Sequence, residues 1–393
     1  MSNVLLISNS LIPSVLLCGH FQLQYLSKQK KINYKFASSR RIKKKVIDWA
    51  DIIVFVRSES SVEKIIAQEL KGIKHLVYVL DDDLLNLPDY VSSAKYYKIP
   101  RIHNNIISIM NSCDSFLTTS RVLLEKYGKG FKNAFLIDEP SLQNKVNNKD
   151  NEKVKIGFAG SIDRAQDINV ILEETIKEII NKYKDSIEVE FMGAKPTIVD
   201  EYKLNYIPYQ DSYQKYIEKM SELNWDIGLA PMPISDFHSC KYINKYVEYA
   251  SFGIAGIYSN CAPYIYGIRN GENGLLVDNN CKDWVEAISS LIDNKKLREK
   301  ISDNAVKEAK TKYSLETLSY QYLDCIMKDY DETKINKDSH ILLDLELFSV
   351  LLVDEIKVQR FRFPFWCVKY ISLKILEALG IIEKKANNDD LDS

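Results

Sequence analysis

The runs NVLLIS (3–8), DIIVFV (51–56) and HLVYVL (75–80) are short and apolar throughout rather than at alternate positions. A strand of that kind is covered on both faces, which is the condition of a strand inside a parallel sheet. The segments between the runs, such as 61–70, have helical patterns. Strand, helix, strand in this order predicts parallel pairing through right-handed crossovers. A further unit spans 105–128, with SFLTTS as its strand and Ser120 as the N-cap of the helix after it. The polar stretch QNKVNNKDNEK (143–153) interrupts the alternation as a linker. Beyond it KIGFAGS, IEVEFMG, WDIGLAP, GIAGIYS and NGLLVD start the pattern afresh, and helices follow at 282–293, 295–312 and 314–330.

The expected fold class is therefore α/β, with two Rossmann-like parallel-sheet domains facing each other across a cleft. The domains are expected at 1–145 and 146–330, with a helical tail at 331–393. Ligands of such sheets bind outside the carboxyl ends of the strands, so the cleft is where function is expected.

A chain of 393 residues exceeds what one core usually holds, in keeping with two domains. With 46% apolar and 27% charged residues it is neither disordered nor fibrous. Residues 1–150 carry 22 Lys and Arg against 14 Asp and Glu, whereas 151–393 carry 31 against 40. The basic first half favours an acidic partner, either a phosphate-bearing ligand or an anionic membrane surface. Seven scattered cysteines without a Cys-x-x-Cys pair argue against a disulfide framework or a zinc site and fit a reducing cytoplasm. The apolar start MSNVLLISNSLIPSVLL lacks a basic leader and is broken by Asn9, Ser10 and Pro13, so it is expected to be a strand rather than a signal peptide. No stretch has the roughly 20 uninterrupted apolar residues of a membrane span.

Three segments hold candidate chemistry. KIGFAGSIDRAQDI (155–168) is a strand, a small-residue turn and a helix. Gly157 and Gly160 are expected to let the backbone approach a ligand, next to a helix N-terminus that suits phosphate. Arg164 adds a cation, unless it is merely the solvated arginine of an ordinary turn. In SCKYINKYVEYASFG (239–253), Lys241, Lys245 and Glu248 lie four and three apart, on one expected helical face ahead of Gly253 as the C′ residue. Their alternatives are a ligand site or a solvated Lys245–Glu248 pair contributing about 0.2–0.5 kcal/mol. VYVLDDDLLNLP (77–88) puts Asp81, Asp82 and Asp83 directly after a strand, where they accept hydroxyl groups at the cleft edge or cap a helix. His103 and His20 stand alone, the latter beside Gly19.

From about Lys155 to about Tyr330 the sequence resembles the donor domain of GT-B-fold retaining glycosyltransferases, of the family 4 or group 1 type with an E-x7-E motif. The phrases that carry this, in order, are IGFAGSIDRAQDINVI, WDIGLAPMPISDFHSCKYINKYVEYASFG, APYIYGIRNGENGLLVDN and NAVKEAKTKYSLETL. The resemblance implies that Glu248, as the second glutamate, binds the ribose of a nucleotide-sugar donor. The first glutamate is expected at Lys241, where this chain departs from the pattern. Arg164 and Lys245, with Lys241, are implied to face the donor diphosphate. Gly160 and Ser161 would form the donor turn, and Tyr209, in IPYQDSYQKY, either stacks on the nucleobase or is a half-buried loop tyrosine. VYVLDDDLLNLP is similar to the aspartate segment of the same branch, which gives Asp82 and Asp83 an active-site role. The resemblance further implies metal-independent transfer, no cofactor and no protein base, because the departing phosphate oxygen takes the acceptor proton.

The expected activity is transfer of a sugar from a nucleotide-diphosphate donor to a hydroxyl of a glycan or lipid-linked glycan, in polysaccharide biosynthesis. The alternatives are a non-catalytic glycosyltransferase-like subunit and, third, a GT-B sugar epimerase. SSRRIKKK (38–45) clusters Arg40, Arg41, Lys43, Lys44 and Lys45 without the interleaved aromatics expected of a nucleic-acid site. It is either a solvated turn or a contact to anionic lipid. VQRFRFPFWCVKYISLKILEALG (358–380) mixes aromatics and cations, as an interfacial segment does, or packs back on the first domain. A cytoplasmic protein, peripheral on the inner face of a membrane, fits both surfaces.

Overall fold

The computed structural model describes residues 1–142 and 152–335. The stretch at 143–151, most of the expected linker, and the 358–380 tail lie outside the described residues. The first sheet comprises β1 (Asn3–Ser8), β2 (Asn33–Ser38), β3 (Ile52–Val56), β4 (His75–Leu80), β5 (Ser115–Thr118) and β6 (Asn133–Leu136). They are ordered β2-β1-β3-β4-β5-β6, and every neighbouring pair is parallel. The second sheet comprises β7 (Val154–Gly160), β8 (Ile187–Gly193), β9 (Asn205–Ile207), β10 (Ile227–Ala230), β11 (Ala255–Ser259) and β12 (Leu275–Val277). Its order is β12-β11-β10-β7-β8-β9, again parallel throughout. The two-domain α/β expectation holds.

The continuously apolar runs became the strands buried on both faces: β3, β4, β5 and β10 have no exposed residue. Caps follow the sequence. Ser60 and Glu63 form a reciprocal capping box at the helix Ser61–Leu70, and Ser120 accepts from the Leu123 N–H at 3.3 Å. Each sheet reverses its strand order once, between β1 and β3 and between β7 and β10. Ligands of open α/β sheets sit at these switch points.

Two expectations change. Gly157 does not serve a ligand: a Cβ there would lie 1.9 Å from Cδ2 of the Trp225 indole. Trp225 is fully buried, its Nε1 donating to Glu190 at 2.7 Å, and the glycine makes room for its ring. The helix Leu315–Ile326, expected with the second domain, packs on the helix Phe21–Lys28 of the first. Its Tyr322 and Ile326 join Val4, Leu6, Val15 and Cys18 in the first-domain core. Burying that apolar face brings the chain back across the molecule. Gly19 takes part in this contact, its Cβ position lying 3.0 Å from the Tyr322 hydroxyl. His20 is hydrogen-bonded to Tyr34 at 2.7 Å, away from the cleft cavity.

Among the described residues no helix is long and apolar enough to cross a membrane. The six described cysteines are free.

Candidate active site

The segments beyond the carboxyl ends of β1, β4 and β6 meet those of β7 and β10 around a cavity of about 230 Å³. On the second-domain side, β7 ends at Gly160 and the chain turns through Ser161 into a short 3-10 turn that ends at Arg164. The helix Ala165–Tyr183 follows, and Gly160, Ser161 and Arg164 all line the cavity. Arg164 is braced by the Pro231 carbonyl at 2.6 Å and by Asp167 at 3.2 Å. From the helix Asn244–Ser251, Lys245 and Glu248 reach the same space. They are paired with each other, and the Tyr216 hydroxyl donates to Glu248 Oε2 at 2.9 Å. The helix ends as expected: Gly253 has φ 65°, its N–H bonds the Ala250 carbonyl, and the Ile254 N–H bonds that of Tyr249.

The first domain answers with acids. Asp81 and Asp82 follow β4, and Arg57 follows β3 with a left-handed backbone, φ 50°. Such a conformation in a non-glycine residue persists only where its surroundings hold it, often at functional sites. The Arg57 guanidinium bonds Asp81 at 3.0 Å, Asp82 at 3.5 Å and Ser14 Oγ at 2.9 Å. Lys241 of the second domain reaches across to Asp82 at 3.2 Å. Burial works to raise the Asp82 carboxyl, but Lys241 and Arg57 outweigh it and hold the pKa below the ordinary value. Glu139, just past β6, also lines the cavity, and burial, helped by the charge of Asp81, pushes its carboxyl well up.

A second wall supports Arg164. His238 donates or accepts at Ser235 Oγ, 2.8 Å, with its other nitrogen 3.8 Å from Asp167, and Tyr90 stacks on its ring. Burial, then Arg164 and Lys241, bring the His238 pKa down to about 4, so it is neutral at pH 7.

Residues 245–308 match the family model of Glycosyl transferases group 1, a segment that begins with Lys245 and contains Glu248. Over this segment the chain is similar to the group 1 glycosyltransferases. Solved structures share its fold. Anabaena HepE in complex with UDP and glucose is 12% identical with a TM-score of 0.56, covering 82% of this chain and 99% of that one. Sucrose-phosphate synthase of Thermosynechococcus elongatus gives 10% and 0.59, covering 84% and 99%. A Rickettsia africae glycosyltransferase gives 13% and 0.56, covering 83% and 98%. No curated protein matches the sequence. The fold is GT-B.

Of the residues the sequence singled out, the cavity brings together Asp81, Asp82, Gly160, Ser161, Arg164, Lys241, Lys245 and Glu248. Asp83 is turned away, held by Lys126 at 2.6 Å, the Tyr127 hydroxyl at 2.7 Å and Asn86 at 3.1 Å. Successive residues after a strand point in different directions, so one aspartate of the three leaves the site. Tyr209 is 53% exposed and outside the cavity. The tyrosine of its segment that reaches the site is Tyr216, stacked on Tyr213.

Lys241 does not share a helix with Lys245 and Glu248. The helix Asp236–Ser239 stops, Cys240 to Ile243 form a turn, and a new helix starts at Asn244. Seven residues between the two motif acids lead back to Cys240, not Lys241. The Cys240 thiol is directed to the Asp236 carbonyl at 3.2 Å, outside the cavity. Sequence reasoning missed Ser14 and Glu139, which line the cavity, and Arg57 and Tyr216, which hold its acids. All four are set by contacts between distant segments.

Proposed function

We propose that this glycosyltransferase moves a sugar from a nucleotide-diphosphate donor to a hydroxyl of a glycan or lipid-linked glycan, with retention and without a metal. The observation that carries the reading is the convergence of Arg164, Lys245 and Glu248 on one cavity at the carboxyl ends of β7 and β10. Arg164 and Lys245 stabilise the leaving diphosphate as its charge develops, already oriented by the groups that brace them. Glu248 accepts from the ribose hydroxyls. HepE and related folds were solved with UDP and UDP-glucose, which makes a uridine donor the first choice.

Acceptor and location belong to the same reading. Arg40, Arg41, Lys43 and Lys45 are exposed around the start of the helix Lys44–Trp49, a basic patch suited to anionic lipid on the cytoplasmic side. Lys44 is paired with Asp48 at 2.7 Å.

The test is release of nucleoside diphosphate from UDP- and GDP-sugars, with and without a lipid extract. Release from one donor is expected. Silence with every donor in both conditions overturns the enzyme and favours a donor-binding subunit without activity, for which the absence of an acid at Cys240 and Lys241 already speaks.

A further inference from the structure

The two walls of the cavity differ in charge. Arg164, Lys241 and Lys245 outnumber Glu248 on the second-domain wall, while Asp81, Asp82 and Glu139 line the first-domain wall with acids. The diphosphate belongs to the first of these. The second suits a neutral, hydroxyl-rich group.

Asp81 is 8% exposed. Its Oδ2 accepts from Arg57, but its Oδ1 is sealed from solvent and has no hydrogen-bond partner. A buried carboxylate oxygen in that state calls for a donor. Glu139 is 4% exposed and faces the same cavity. Its position is set by its backbone N–H, which donates to the Tyr242 hydroxyl at 3.1 Å, and by the Cys18 thiol, which donates to Oε1 at 3.4 Å. Burial, then the charge of Asp81, push the Glu139 carboxyl well up, toward its protonated form. The pair therefore offers an acceptor oxygen without a partner on Asp81 and, on Glu139, a carboxyl whose protonated form both donates and accepts. A hydroxyl group can donate to the one and accept from the other. A phosphate can do neither without facing the charge of Asp81.

We propose that Asp81 and Glu139 form a hydroxyl-binding subsite on the first-domain wall, which holds the neutral polyol ring of the transferred sugar and sets which sugar is accepted. This rests on the nucleotide-sugar reading above.

The experiment is calorimetric titration of wild type, Asp81→Asn and Glu139→Gln with UDP and GDP alone and with UDP-glucose, UDP-galactose and UDP-N-acetylglucosamine. Wild type is expected to bind one nucleotide-sugar more tightly than its nucleotide. Each variant is expected to bind the free nucleotide as wild type does, which also reports its folding, and to lose about 10-fold for the sugar nucleotide. If either variant still folds and binds that sugar nucleotide as wild type does, the subsite is overturned and the donor reading stands. If wild type discriminates no sugar from its bare nucleotide, the subsite likewise falls. If wild type binds no nucleotide at all, the donor reading itself fails and takes the subsite with it. Should one variant fail to fold, the other decides.

Discussion

Lys241 of the second domain and Asp82 of the first meet across the cleft at 3.2 Å, each side chain about a quarter exposed. Asp82 is also within 3.5 Å of Arg57, so one carboxylate ties a second-domain cation to the first-domain arginine. Lys241→Glu puts two acids face to face and is expected to lower donor turnover at least 10-fold. The double variant Asp82→Lys/Lys241→Glu is expected to recover part of it. Partial exposure screens the pair, so the cycle's coupling in stability should be about 1 kcal/mol or less. Additive effects on turnover would show that the two act separately.

Glu248 is engaged by Lys245 and Tyr216 in the absence of ligand. Glu248→Ala should remove the thermal stabilisation by the correct nucleotide donor, which for a ligand at 100 times its dissociation constant is about 2.7 kcal/mol. The midpoint of the unliganded protein should move far less. A donor shift of wild-type size in the variant would reduce Glu248 to a partner of Lys245.

Arg164 is held from two sides, by Pro231 and Asp167. Arg164→Ala is expected to lower kcat by about 10²–10³ with a smaller change in KM, because the charge it meets grows in the transition state. Arg164→Lys should rescue little, since a single ammonium cannot span both supports and the diphosphate. Equal loss in kcat and in donor affinity would mean ground-state binding only.

Glu59 and Glu63 are buried together behind the site, and burial, then the neighbouring Glu63 charge, raises the Glu59 pKa to about 8. A carboxyl raised in the folded state contributes stability that is fully present below its unfolded pKa and is lost as pH rises through the folded value. Wild type is therefore expected to lose stability progressively between about pH 4.5 and pH 8. Glu59→Gln should flatten that slope, as read from thermal midpoints at pH 5.5 and 8.5. An unchanged slope would place the proton elsewhere.

Gly157→Ala drives a Cβ into the Trp225 ring at 1.9 Å. Overpacking of this kind costs about 1–3 kcal/mol. The thermal midpoint should fall, and Gly157→Ala with Trp225→Phe should regain part of the loss. A neutral Gly157→Ala would mean that β7 shifts freely.

Both sheets were legible in the chain because strands buried on two faces must be apolar at every position, a local condition. Three of the four edge strands were not: β2, β6 and β9 are half-exposed and lack that signature. The Schellman turn at Gly253 and the cap at Ser120 were likewise readable, since their chemistry lies within a few residues. Contacts between distant segments were not. Regular spacing put Lys241 on the Glu248 helix, yet the turn at 240–243 releases it toward Asp82 of the other domain. The same small residue reads as a ligand approach or as room for a ring, and only the arrival of Trp225 decided for Gly157. Glu139 became a cavity residue, and Arg57 the partner of two cavity acids, because two sheets bring the carboxyl ends of their strands together. Periodicity encodes how much of a segment is buried; which segment lies opposite is decided when the sheets pack.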